Sequence, residues 1–239
     1  MSVTLGSMSD QYRSAGRLAW VAIFAVASAA AAHVTTVLAF GIVTRAFPDL
    51  QARAIAGEWW AGGVALLIAG GTLLSLVMTL LAGVAFLSWL YRVVKNTRLT
   101  VTLRSMPTPG GAVAVWFIPI VSLFRPYDVM RTVYRANDAE GRELAGDWVR
   151  KMPWLMPVWW GTWLLHLLID RIGVGSGEDL AHTYNPASFV GLPFTVVSAL
   201  GAIAIVQSVQ ARQEATAAAD AADAAKPEAV FEPPTRTQE

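Results

Sequence analysis

The chain has 239 residues, of which 55% are hydrophobic and only 15% charged, with a formal net charge of +1 and no cysteine. Soluble domains carry about 25% charged residues, so this composition excludes an ordinary soluble domain and points to a membrane protein. Without cysteine there is no disulfide framework, thiolate metal site or thiol nucleophile.

Residues 1–17 read as a short cytoplasmic amino terminus that carries Arg13 and Arg17. An uncharged run then predicts a first span over 18–44. Its opening, LAWVAIFAVASA followed by alanines, resembles a secretory signal. Signal apolar regions cover only about 7–15 residues. Here VTTVLAFGIV prolongs the run well beyond that, which favours an uncleaved anchor. Further apolar runs predict spans over 59–91, 153–170 and 187–211, the second of these holding His166 and closing on Asp170. Each is near or above the roughly 17–25 helical residues that cross about 30 Å of hydrocarbon.

Between the second and third spans lies WFIPIVSLFRPY, Trp116 to Tyr127. The apolar part of this short segment, 110–127, offers about fifteen residues before Arg125, or roughly 22 Å of helix. Pro119 also removes a hydrogen bond from its middle. Apolar runs of this length more often re-enter, lie at the interface or pack internally than span. Charge decides between the topologies. If the segment returns to the side it came from, fifteen of the eighteen Lys and Arg are cytoplasmic, and only Arg45, Arg53 and Arg171 lie outside. If it crosses, seven remain inside. The cytoplasmic excess of Lys and Arg favours the first arrangement.

The expected fold is therefore an all-α integral membrane protein: four transmembrane helices plus a short proline-containing re-entrant or interfacial segment. Its motif residues are Trp116, Pro119, Arg125, Pro126 and Tyr127. The membrane domain runs over 18–211, and 212–239 reads as a disordered cytoplasmic tail because it is weakly hydrophobic and holds Pro227, Pro233 and Pro234, although its alanines can prolong the fourth helix for a few turns. Aromatic residues mark both interfaces: Trp20, Trp89, Tyr91 and Trp154 at the inner ends, and Trp59, Trp60 and Tyr184 at the outer ends. Trp159, Trp160 and Trp163 sit deeper and read as packing residues. Small residues at four-residue spacing predict close helix contacts, with Gly71, Ser75, Thr79 and Gly83 on the second span. Gly191, Thr195 and Ala199 predict the same for the fourth, and Ala25, Ala29 and His33 for the first.

Three blocks carry a family resemblance: FLSWLYRVVKNTR (Phe86–Arg98), WFIPIVSLFRPYDVMRTVYRAN (Trp116–Asn137) and VWWGTWLL (Val158–Leu165). Together they resemble a bacterial family of multi-pass membrane proteins known as domain of unknown function 4328, over roughly 61–210. The proline-centred block is the most specific of the three. An Asn is commoner in the family where Ser122 stands here, which weakens any polar role at that position. The resemblance implies the membrane fold and no mechanism.

Chemistry is sparse. His33 lies about fifteen residues up the first span and His166 about thirteen up the third, so both sit roughly 20 Å from the inner boundary. Asp170 follows His166 by one turn on the same face. An ionisable group inside a span is a functional candidate, and His33, His166 and Asp170 form the candidate polar cluster. A histidine in a bundle also commonly just bonds a neighbouring helix, and no metal or cofactor is assigned. Arg92, Lys95, Arg98 and Arg104 follow the second span with no acidic residue among them, a pattern suited to anionic lipid headgroups. No nucleic-acid-binding face is evident, and the motifs HExxH, GxSxG and the phosphate-binding loop are missing, which argues against an enzyme. The function that fits best is a scaffold or interaction component of the bacterial cell envelope, in the plasma membrane with both termini cytoplasmic. A protein partner or a second copy would join the lipid bilayer as its contacts. The alternative is a small transporter, channel or sensor built on the re-entrant segment and the outer-leaflet histidines.

Overall fold

The computed structural model describes residues 12–100, 106–137, 154–173 and 186–224. Side chains at 100, 170–173, 186–188, 220 and 223–224 fall outside that description. Regular structure in the described residues is helical throughout. In chain order the elements are α1 (Gly16–Ala46), α2 (Leu50–Ile55), α3 (Trp59–Thr100), α4 (Pro109–Ala114), α5 (Arg125–Ala136), α6 (Leu155–Gly173) and α7 (Pro186–Ala224). A 3-10 turn at Val121–Leu123 lies between α4 and α5.

Three stretches are long and apolar enough to cross a membrane: Gly16–Ala46, Trp59–Leu99 and Phe189–Ala219. These correspond to the expected first, second and fourth spans. The expected third span is the apolar but shorter Leu155–Ile169, about 22 Å at 1.5 Å per residue.

Contacts between numbered residues give the helix directions. Thr36 of α1 donates to the Gly71 carbonyl of α3, while the Asn96 amide donates to the Arg13 carbonyl, so α1 and α3 are antiparallel. A Cβ placed on Gly201 would lie 2.9 Å from Trp159 Cβ, and Thr195 meets His166, so α6 and α7 are antiparallel too. Gly16 meets Glu214 and Gly41 meets Phe189, so α7 is antiparallel to α1 and runs in the same direction as α3, which the Gln213 side chain reaches at Val93 and Thr97. Four helices thus alternate up and down.

Their core gathers at one end. Ala15 and Ala19 at the start of α1 share a buried cluster with Trp89 and Val93 near the end of α3, Met156 and Trp159 at the start of α6, and Val206 and Val209 of α7. Ala112 of the short segment, with Met106 before it and Met130 and Val133 after it, belongs to the same cluster. Toward the other end α3 is bare: Leu66 and Leu67 are 75% and 77% exposed. Contiguous exposed apolar surface of that kind is unfavourable in water and suited to hydrocarbon. At that end α2 closes the turn, where Arg53 bonds Asp49 at 2.8 Å and Trp60 donates to Glu58 at 2.9 Å.

Several expectations change. The helix expected to stop near 91 continues to Thr100, since its last turns are buried by α5 and α7 rather than by lipid. The alanine-rich start of the tail prolongs the fourth helix to Ala224, with Arg212 and Gln213 buried; residues 225–239 lie outside the described residues. Trp89 is fully buried and is a core residue, not an interfacial one, whereas Trp20, Trp59, Trp154 and Tyr91 are exposed as an aromatic belt requires. Tyr184 lies outside the described residues. On α3 the small-residue face holds at Gly71 and Ser75 and then drifts to Ala82 and Phe86, leaving Thr79 and Gly83 exposed. A four-residue repeat turns about 40° per step on a helix of 3.6 residues per turn, so it cannot hold one face over twelve residues.

Candidate functional site

The short segment is a hairpin of two helices. Thr108 caps α4, its hydroxyl accepting from the Gly111 amide at 3.0 Å, and Pro109 occupies the first turn, where its missing N–H costs nothing. The chain then turns through Trp116–Ile120 and the 3-10 turn into α5, which opens on Arg125 and Pro126. The turn satisfies most of its own backbone. The Phe117 amide donates to Ala114, Ser122 to Ile118, Leu123 to Ile120 and Phe124 to Val121. Pro119 has no N–H to satisfy. Such self-pairing is what backbone needs when water is scarce. Ile120 carries the strain with φ of 66° and ψ of −49°, a γ-turn closed by the Val121 amide on the Pro119 carbonyl at 2.7 Å and rare for a β-branched residue.

One side of the hairpin is packed and the other open. The Trp116 ring meets Phe86 at 5.4 Å and Trp160 and Trp163 at 5.9 Å each, and Trp160 Nε1 donates to the Leu123 carbonyl. Trp159, Trp160 and Trp163 are therefore packing residues, as read from the sequence. The tip faces outward: Phe117, Ile120 and Phe124 are 71%, 75% and 66% exposed. Pro119 and Arg125 are exposed as well, Pro126 is buried, and Tyr127 packs against the core. In α5 the residues Val129, Met130, Val133 and Ala136 are buried while Arg125, Asp128, Arg131 and Arg135 are exposed, the three-to-four spacing of an amphipathic helix.

A buried polar network that the sequence reading missed fastens the hairpin. Gln213 Nε2 donates to the Val93 carbonyl at 3.0 Å and to Thr97 Oγ1 at 2.9 Å. Asn137 at the end of α5 donates to the same Thr97 hydroxyl at 3.1 Å. Asn96 donates to the Arg13 carbonyl at 3.0 Å and to Gln213 Oε1 at 3.5 Å. Arg212 donates to the Tyr134 hydroxyl at 2.9 Å, and its guanidinium lies 4.3 Å from that ring's centre. Asn96, Thr97, Arg212 and Gln213 are each at most 4% exposed. Asn96 Oδ1, Gln210 Oε1 and the Tyr12 hydroxyl are buried here with no partner in the described residues. Burial, reinforced by nearby Glu214, raises the Tyr12 phenol above its ordinary value. One signal was available in the sequence: NT at 96–97 and QARQE at 210–214 place amides just where apolar helices end.

Of the basic run, Lys95 and Arg98 are exposed and Arg92 half-buried, while Arg104 lies outside the described residues. Arg98 also donates to the carbonyls of Met106 and Pro107, at 3.3 and 3.1 Å, which ties the start of the hairpin to α3.

At the other end the structure joins His33 and His166. Their ring centres are 5.1 Å apart and their planes stand at 81°. His166 Nδ1 lies 3.1 Å from Thr195 Oγ1. A polar belt thus links α1, α6 and α7, and Thr36 with Gly71 extends it to α3 one turn along. The Asp170 side chain lies outside the described residues. No group of three His, Asp or Glu arranged for a metal ion occurs among the described residues.

Apolar helices of membrane length, a one-ended core and an all-helical bundle define a membrane protein of unassigned activity. More particularly, the family model described as Domain of unknown function (DUF4328) matches residues 51–214, and the chain belongs to that family. The match contains the three sequence blocks, the hairpin and the side chains of the buried network other than Tyr12. No curated protein matches, and no solved structure does.

Proposed function

We propose that the chain is a non-enzymatic scaffold or interaction component of the bacterial cell envelope. In this reading it crosses the plasma membrane four times with both termini in the cytoplasm, and the hairpin enters the inner leaflet and returns. The observation that carries it is the closure of the hairpin: Met106 and Asn137, at its two ends, bond the adjacent residues Arg98 and Thr97 of α3. A segment that starts and ends at one level of one helix supports a return to the side it left. The exposed apolar tip then rests among acyl chains, and Arg92, Lys95, Arg98 and Arg104 lie on anionic headgroups, each worth about 1 kcal/mol near the surface. The charged outer face of α5 is the platform for a protein partner or a second copy. A photocrosslinking side chain at Arg131 or Arg135 should trap one discrete protein adduct that the same group at Ala56, at the opposite end, does not. Lipid adducts alone at all three positions would contradict the platform.

A second reading, a small sensor or transporter, is favoured by one observation, the meeting of His33, His166 and Thr195 between apolar spans. It requires water to reach this level. A cysteine at Thr195 should react with a small polar reagent from outside, and an inert cysteine would remove the reading.

A further inference from the structure

We propose that Asn96, Gln210 and Glu214, at the end of the bundle where α1 begins, hold the primary ammonium of an ethanolamine phospholipid. This rests on where the apolar helices end, and it goes beyond both the scaffold and the transporter reading. Its first ground is a pair of buried acceptors that the chain leaves bare. Asn96 and Gln210 are 2% and 6% exposed, and Asn96 Oδ1 and Gln210 Oε1 have no partner among the described residues. The other side of each amide fixes which atom is bare. Asn96 Nδ2 donates to the Arg13 carbonyl at 3.0 Å, and Gln210 Nε2 donates to Glu214 Oε1 at 2.8 Å. A carbonyl and a carboxylate only accept, so reversing either amide would set oxygen against oxygen. Buried acceptors of this kind are costly until a donor arrives.

The second ground is charge and donor count. Both amides border one short stretch of chain, 12–16: Asn96 reaches Arg13, and a Cβ on Gly16 would lie 2.9 Å from Glu214 Oε1 and 3.8 Å from Gln210 Nε2. The Glu214 carboxylate makes no ion pair among the described residues, where the ion pairs are those of Arg53. Two bare amide oxygens and one carboxylate match a cation with three N–H donors. A primary ammonium is such a group, whereas a water brings two hydrogens and no charge. The third ground is level. Asn96 lies about 7 Å past Tyr91, an exposed aromatic residue of the interface, and Glu214 follows the end of the apolar run 187–211. That is headgroup depth. Arg13 and Arg17, both exposed beside the same stretch, suit the phosphate of the same headgroup.

The test exposes the full-length chain to equal amounts of phosphatidylethanolamine and phosphatidylcholine with the same acyl chains, and counts retained lipid by native mass spectrometry. The two headgroups carry the same charges, and methylation removes every N–H from the second. The native chain should retain the ethanolamine lipid over the choline lipid by about fivefold or more, the scale of one hydrogen bond to a charged group in a partly exposed site. Equal retention, or a preference for choline, overturns the proposal without any variant. Glu214→Gln, at an exposed position, and Gln210→Leu should each lower the ratio toward unity, while Glu58→Gln, in the turn at the opposite end, should leave it unchanged. A ratio that survives Glu214→Gln, or falls equally in Glu58→Gln, overturns the site. Soluble glycerophosphoethanolamine in excess should displace little of the lipid, and full displacement would overturn the lipid as occupant. The assay has no sidedness, so its outcome is separate from that of the topology.

Discussion

Alanine at Gly201 would test the α6–α7 contact most sharply. The added methyl would lie 2.9 Å from Trp159 Cβ, 3.3 Å from Cδ1 and 3.4 Å from Cα. Carbon atoms prefer separations of about 3.5–4.0 Å, and Cβ and Cα cannot swing aside as a side-chain tip can. Trp159 has no room to retreat, being 4% exposed and in ring contact with Trp160 at 5.5 Å. Overpacking of this kind costs about 1–3 kcal/mol. Against it stands the helix preference for alanine over glycine, about 1 kcal/mol. Gly83, also inside a helix, has nothing within 4 Å of its would-be Cβ, so Gly83→Ala takes the gain without the clash. The two variants should therefore differ by about 1–3 kcal/mol, with Gly83→Ala the more stable. Reversible unfolding in mixed micelles of rising dodecyl sulfate fraction, followed by circular dichroism, measures that difference. Equal stability, or a more stable Gly201→Ala, would refute the close approach of α6 and α7.

Gln213→Leu removes the donor to Val93 and Thr97 from a buried site, and should cost about 1–3 kcal/mol in the same assay. A neutral result would make the network ornamental to stability. Ile120→Gly should stabilise the chain by about 1 kcal/mol by relieving the strained backbone at φ 66°, and a loss instead would mean that its apolar side chain matters more than the strain. Changing Arg92, Lys95, Arg98 and Arg104 to Gln should weaken the preference for anionic over neutral lipid, read by native mass spectrometry of retained lipid. An unchanged preference would confine the run to setting orientation.

How much of this was legible in the sequence depends on which residues carry the signal. Uncharged runs located α1, α3, α6 and α7 because crossing hydrocarbon demands length and apolarity, and both can be read along one dimension. Matched depth of His33 and His166 also followed from helix rise alone. Facing direction did not follow, since it depends on how α1 and α6 rotate against their neighbours, which the structure shows to bring the rings together. The ends of the helices were harder. Lys95, Asn96 and Thr97 look like the polar finish of a span, yet Asn96 and Thr97 are buried because α5 and α7 cover them. Arg212 and Gln213 were likewise read as the start of a tail, and they prove to face α5 and α3. Polarity marks the edge of the lipid, whereas burial is set by which neighbouring element arrives, and a single sequence holds only the former. Trp89 went astray for the same reason: its position suited an interface, but Phe86, 5.6 Å away, and the cluster around it enclose the ring.

The central claim is that the hairpin leaves and regains the same side of the membrane. Single cysteines placed in this cysteine-free chain at Lys95, Arg135 and Ala56, all exposed positions, test it with an impermeant thiol reagent on intact cells and on inverted vesicles. The account predicts that Lys95 and Arg135 react only from the cytoplasmic side and Ala56 only from outside. Reaction of Arg135 from outside while Lys95 reacts from inside would mean that the segment crosses, and would contradict the account.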